Sequence, residues 1–285
     1  MSDALANLLE QASAGDAPAL AALCRELQGP VYRLARRMLY DASDAEDAAQ
    51  EILVKVITHL GDFRGEARVL TWVYAIASRH LLRFRRSRGE ERALGAEQLG
   101  TALDQGMRHG EAATRRALPE AASDPEGEAR VLEHEVRLSC THGMLLVLSR
   151  EERLSLVLAD VLGLDGPEAA QIAGITPEAH RQRLSRARAL LRPVLEERCG
   201  LVDEQNPCRC AAQIAAKRSR GMRAERLQFA NLVPLGAGER GRTLRAQAEL
   251  KSLDRARRAF QEQAELEPPA ELLARIERAC PELFG

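Results

Sequence analysis

Ser43-Asp44-Ala45-Glu46-Asp47-Ala48-Ala49-Gln50-Glu51-Ile52-Leu53-Val54-Lys55-Val56-Ile57-Thr58-His59-Leu60 is the stretch on which the reading of the whole chain turns. Ser43 with Glu46 three residues later has the spacing of a capping box, which predicts a helix from there to about Leu60. Ala45, Ala49, Ile52, Leu53, Val56 and Leu60 recur at helical spacing and form one apolar stripe, the side that enters a core. At about 100° per residue, Asp47, Gln50, Glu51, Val54 and Ile57 fall on the opposite side. Branched apolar residues among carboxylates leave two readings: a partner docks on this face, or the N-terminal helix covers Val54 and Ile57.

Outward from this helix the pattern stays helical. Residues 4–27 read as an amphipathic helix interrupted near Gly15-Asp16, and Gly29-Pro30 breaks the chain before a helix from Val31 to Tyr40. A loop, Gly61 to Glu66, leads to a helix ending among arginines near Arg86. From Arg88 to Glu128 the chain is rich in Gly, Ala and acids, with Pro119 and Pro125, and reads as a linker. Helices are expected again over 131–147 and 150–162, as a pair around Gly174, and in the tail near 211–230, 242–266 and 269–279. Aromatics are only 3% and runs of β-branched residues are almost absent, which disfavours strands. The expected fold class is all-α: helical domains at 1–90 and 131–198, a flexible linker at 91–130, and a helical C-terminal extension at 199–285.

The net charge of −1 hides opposite local charges. Acids outnumber bases ten to five over residues 1–62, whereas 63–92 hold eight Arg against three Glu, and 179–195 hold five Arg and no acid. Each basic stretch can line a nucleic acid or form a solvated helix face. In the first, Phe63, Trp72, Tyr74 and Phe84 are interleaved with Arg64, Arg68, Arg79, Arg83, Arg85 and Arg86: rings for unpaired bases, cations for phosphates. Trp72 also fits the core of a small helical domain. The second lies in a helix-turn-helix pattern. Pro167 suits a first helical position, Gly174 the turn, and Thr176-Pro177 an N-cap and N1 pair. Ile175, Leu184, Ala187 and Leu191 would face inward, leaving Glu178, Arg181, Gln182, Arg183, Ser185 and Arg186 for a major groove.

Ser43 to Glu51, with Phe63-Arg64-Gly65-Glu66 and Thr71-Trp72-Val73-Tyr74-Ala75-Ile76-Ala77, resembles the conserved second region of sigma-70 factors, closest to the extracytoplasmic-function group. Leu148 to Arg153 with Arg183-Leu184-Ser185-Arg186-Ala187-Arg188 resembles their fourth region. The resemblance implies a non-enzymatic transcription initiation factor with core RNA polymerase and promoter DNA as partners. It implies that Asp47, Gln50, Glu51 and Val54 contact polymerase. It further implies that Phe63, Arg64, Tyr74, Arg79, His80 and Arg83 line the melted minus-ten strand, and that Thr176, Glu178, Arg181, Gln182, Arg183 and Arg186 face the minus-thirty-five element. The family pattern has Arg at the place of Ala75, Asn at that of His80 and Val at that of His180.

The tail exceeds that plan. Cys199, Cys208 and Cys210 follow the recognition helix, and Cys-x-Cys places two thiols where they could share zinc or copper; the other reading is incidental buried thiols. The extension could sense metal or oxidation, or stand in for an anti-sigma factor as an inhibitory cover. A stand-alone helix-turn-helix regulator with a sensing tail is the alternative function. No glycine-rich phosphate loop, His-Glu metal pair or nucleophile with its base suggests an enzyme. No signal peptide or membrane-length apolar run is present, so a cytoplasmic location with reduced thiols is expected.

Overall fold

The computed structural model describes residues 2–85, 95–114, 125–219 and 268–284, and their regular structure is helical apart from an isolated bridge between Cys199 and Cys208. The helix expected over 242–266, and the part of 211–230 beyond residue 219, lie outside the described residues. Two compact units form, one from residues 1–92, 149–185 and 266–285, the other from 93–148 and 186–265.

The first unit begins with α1 (Ser2–Ser13) and α2 (Ala17–Met38). Between them Gly15 takes φ 92, and the Asp16 carboxylate accepts the Ala19 N–H at 2.9 Å, the cap that starts α2. The break expected at Gly29-Pro30 is absent: α2 runs straight through. Leu20, Leu23, Leu27, Val31, Leu34 and Met38 are buried on both sides of the proline, and that continuous apolar face outweighs the lost backbone hydrogen bond.

α3 (Ala42–Thr58) starts two residues earlier than the capping-box spacing suggests. Asp41, not Ser43, is the N-cap, its carboxylate accepting the Ser43 N–H at 2.8 Å. The predicted stripe holds, with Ala45, Ala49, Ile52, Leu53, Val56 and Leu60 all buried. A 3-10 turn, Leu60–Asp62, leads toward α4 (Val69–Arg83), which packs on α2 and α3.

α7 (Arg150–Leu156) opens with a complete capping box between Ser149 and Glu152. Its two buried arginines close the ends of other helices. Arg150 donates to the carbonyls of Leu81, Phe84 and Arg85, and Arg153 to that of Met38, so C-terminal carbonyls of α4 and α2 that lack helical partners gain charged donors. A π-turn, Val157–Val161, follows. α8 (Gly166–Ala173) is capped by Asp165 and ends at Gly174 in the left-handed region, φ 66, where a residue without Cβ is favoured.

The second unit contains α5 (Ala96–Thr114), α6 (Pro125–Val147) and α10 (Cys210–Ser219). α5 lies inside the expected flexible linker. The composition that suggested flexibility serves packing instead: a Cβ at Gly106 would meet the Gln213 side chain, and one at Gly110 the Ala212 carbonyl, so glycines one turn apart let α10 approach α5 closely. α9 (Pro177–Arg198) ends in a loop whose Asn206 amide donates to the carbonyls of Glu196 at 2.9 Å and Cys199 at 3.1 Å.

Gly110→Leu separates a packed helix from a free one. In an exposed helix Leu gains about 1 kcal/mol over Gly; against Ala212 it is expected to cost about 1–3 kcal/mol, read as a lower denaturant midpoint by far-UV circular dichroism.

Candidate nucleic-acid interface

On α3, Asp47 and Glu51 are exposed and Gln50 and Val54 half-buried, whereas Ile57 is buried. Ile57 therefore belongs to the core, leaving a more polar outer face than the sequence suggests. That face is occupied. Arg275, on the C-terminal helix α11 (Leu272–Ala279), places Nη2 2.6 Å from Asp47 Oδ1 and Nη1 3.6 Å from Glu46 Oε2. Gln50 Nε2 stands 3.5 Å from the Arg275 carbonyl oxygen. Burial pushes the Glu46 carboxyl above its ordinary value, opposed by Arg275.

Beside this face runs a groove of about 950 Å³ between α3 and α4. Asp47, Glu51 and Lys55 line it from α3, and Trp72, Ile76, Arg79, His80 and Arg83 from α4. Phe63 packs edge-on against Trp72 with ring centroids 5.6 Å apart; both are half-buried and Arg64 is exposed. Rings and cations thus share one groove, the combination that suits unpaired bases. Tyr74 departs from the expectation. It is 9% exposed, burial raises its phenol above the ordinary range, and Arg33 and Arg37 act electrostatically on it; its ring belongs to the core and offers no stacking platform. Trp72, equally compatible with the core by sequence, sits at the groove.

His80 Nδ1 lies 2.7 Å from Lys55 Nζ and its Nε2 3.5 Å from Glu51 Oε2. An ammonium can only donate, so this contact makes Nδ1 the acceptor and puts the proton of a neutral ring on Nε2. Burial lowers its pKa first and Lys55 lowers it further, against Glu51.

The loop before α4 meets α8. Arg68 and Thr71 both donate to the Glu168 carboxylate, Arg68 at 2.5 Å. The Arg68 hydrogen bond leads in holding that carboxyl below its usual pKa. Sequence spacing had not singled out Glu168 or Arg275, because each partner lies about a hundred residues or more away; the only local sign for Arg275 is its place beside Leu272 and Ile276.

The helix-turn-helix is built as the pattern predicts. Thr176 Oγ accepts the Ala179 N–H at 3.2 Å, Ala187 and Leu191 are buried, and Ile175 and Leu184 half-buried. Glu178, Arg181, Gln182, Ser185 and Arg186 are exposed on α9 and Arg183 half-exposed. Arg181 and Gln182 both contact the Glu178 carboxylate. His180 is 2% exposed and contributes to packing rather than to the outer face.

In the second unit Cys140, Cys199, Cys208 and Cys210 lie within electrostatic reach of one another. Burial raises each thiol, Cys140 to about 12, so they are protonated near neutral pH. Among the described residues no group of three His, Cys, Asp or Glu side chains could hold a metal ion.

Residues 23–91 match the model of sigma-70 region 2, and residues 138–191 that of sigma-70 region 4. RNA polymerase sigma factor CnrH of Cupriavidus metallidurans is 30% identical over 68% of this chain and 95% of its own length. RNA polymerase sigma-H factor of Pseudomonas aeruginosa is 28% identical over 67% and 95%, and ECF sigma factor SigW of Bacillus subtilis 25% over 66% and 95%. The chain belongs to the sigma-70 family, in the ECF group. As a sigma factor it directs RNA polymerase to promoters. Region 2 holds α3, the groove and the Arg68–Thr71 corner; region 4 holds α8 and the exposed face of α9. Both family models end before the tail that supplies Arg275.

His80 offers a direct check of the groove. Its titration midpoint by NMR is expected below 6.5, higher in Lys55→Met and lower in Glu51→Gln. Below 6.5 the folded chain then binds fewer protons than the unfolded one, so this residue lowers stability as pH falls through that window.

Proposed function

We propose that this sigma factor docks core RNA polymerase through Asp47, Gln50, Glu51 and Val54 of α3. It takes the melted minus-ten strand in the groove beside Phe63, Arg64, Arg79, His80 and Arg83, and meets the minus-thirty-five element with Thr176, Glu178, Arg181, Gln182, Arg183 and Arg186. The observation that carries this is the juxtaposition of an acidic helix face with a groove of rings and cations in region 2. The anionic face suits a basic protein surface, and the groove suits a separated strand. The place of action is the cytoplasm, where polymerase and promoter DNA meet; among the described residues no helix is long and apolar enough to cross a membrane.

Promoter engagement also requires a rearrangement. Elements centred 25 base pairs apart are about 85 Å apart along B-DNA, whereas Glu168 of region 4 holds Arg68 and Thr71 of region 2. These contacts belong to a closed form that opens before both elements are read.

In vitro transcription with core polymerase tests the reading. Asp47→Arg is expected to lower initiation about 30-fold, the effect of losing an interface anchor, and unchanged initiation would sink the docking role. Arg181→Ala is expected to weaken binding to a minus-thirty-five duplex by about 1–3 kcal/mol in fluorescence anisotropy.

A further inference from the structure

The C-terminal helix α11 sits where polymerase is proposed to dock, and it is built for that seat. Leu272, Ile276 and Cys280 follow at intervals of four and are buried, at 1%, 0% and 4% exposure. This is one stripe along a single helix face, packed against α3 and α2. Cys280, at its end, lies within electrostatic reach of Cys24 on α2. Beside the stripe, Arg275 reaches Asp47 and Glu46, and its carbonyl faces Gln50. An apolar stripe with one flanking cation thus meets an apolar bundle with flanking carboxylates.

We propose that α11 is an internal ligand of the docking face of α3, so that polymerase binds only the fraction of molecules in which this helix has left. The inference rests on the reading of Asp47 and Gln50 as polymerase contacts. Three physical features suit a displaceable cover. The helix has eight residues, too few to persist alone in water, so leaving its seat means unfolding, and the two states are distinct. Its ion pairs stay partly open to solvent, with the Asp47 side chain 52% exposed, so an incoming cationic surface can compete for the same carboxylates. Finally, the cover is covalently attached and needs no second molecule to reach it. A competent fraction of about one tenth would weaken apparent polymerase affinity about tenfold.

The test uses the full-length chain and core polymerase, with affinity measured by fluorescence anisotropy and hydrogen exchange followed over 44–51. A release variant, Arg275→Glu with Ile276→Asp, is expected to bind about tenfold more tightly and to exchange faster at those amides. Arg278→Glu, exposed on the same helix, should match wild type. Because the double substitution could disturb the bundle, Arg275→Ala keeps the apolar seat and is expected to give a smaller gain, about threefold, in the same direction. If neither variant binds more tightly while Asp47→Arg still weakens binding, the cover is refuted and the docking role stands. If Asp47→Arg placed in the release variant binds as tightly as the release variant alone, the docking role fails and the cover with it.

Discussion

A buried guanidinium carries several donors and no acceptor, and each donor left without an oxygen costs stability. Arg150 and Arg153 meet this demand at the places where helices have oxygens to give. Arg150 takes carbonyls from the end of α4 and the residues just past it, and Arg153 takes the terminal carbonyl of α2. The seat of α7 and α8 on the helical bundle depends on this pairing. It fixes α7 across the ends of two region 2 helices, and α8 follows through the π-turn with Glu168 beside Arg68 and Thr71. Arg-Glu-Glu-Arg at 150–153 is therefore more than a helix start: its outer residues act as C-terminal caps for helices more than sixty residues away in sequence.

The parts of the fold legible in the sequence were those set by local chemistry. The α3 stripe, the Gly15-Asp16 interruption, the Gly174 turn and the Thr176 cap each depend on a few neighbouring residues, and all four stand. The misreadings share a different cause. Pro30 ends a helix by local rules, yet α2 continues because burial on both sides of it outweighs one lost hydrogen bond. The Gly- and Ala-rich composition of 88–128 suggests flexibility, yet Gly106 and Gly110 give α10, about a hundred residues later, the space it needs. Ser43 and Glu46 have capping-box spacing, but Asp41 caps first with a carboxylate of its own.

The candidate site divides in the same way. Chemistry named the groove, since arginines interleaved with rings are visible in one dimension, and Phe63, Trp72, Arg79, His80 and Arg83 do gather. Periodicity could not separate Tyr74 from Trp72, two residues apart on α4. Arg33 and Arg37 of α2 lie on the side that Tyr74 enters, and Phe63 from the loop receives Trp72. Which ring is offered to a ligand is decided by neighbours from other helices.

Arg275 with Asp47, Arg68 with Glu168 and Arg85 with Asp44 each join a basic side chain to an acid across elements, and in each pair at least one partner is well exposed. Such pairs contribute little individually, about 1 kcal/mol or less, so they are poor candidates for holding a fold together. That weakness suits exchange. Exposed Arg68 and Arg85 can turn toward a DNA phosphate, and the half-exposed Asp47 carboxylate can take a cation on a partner, so that a charged contact replaces a charged contact. Apolar burial in α2, α3 and α4 keeps the bundle folded while these outer pairs change partners. A near-neutral chain with its charges sorted into acidic and basic stretches can thus pair some of them within one molecule, as Arg275 does with Asp47 and Glu46, while the outer face of α9 stays exposed.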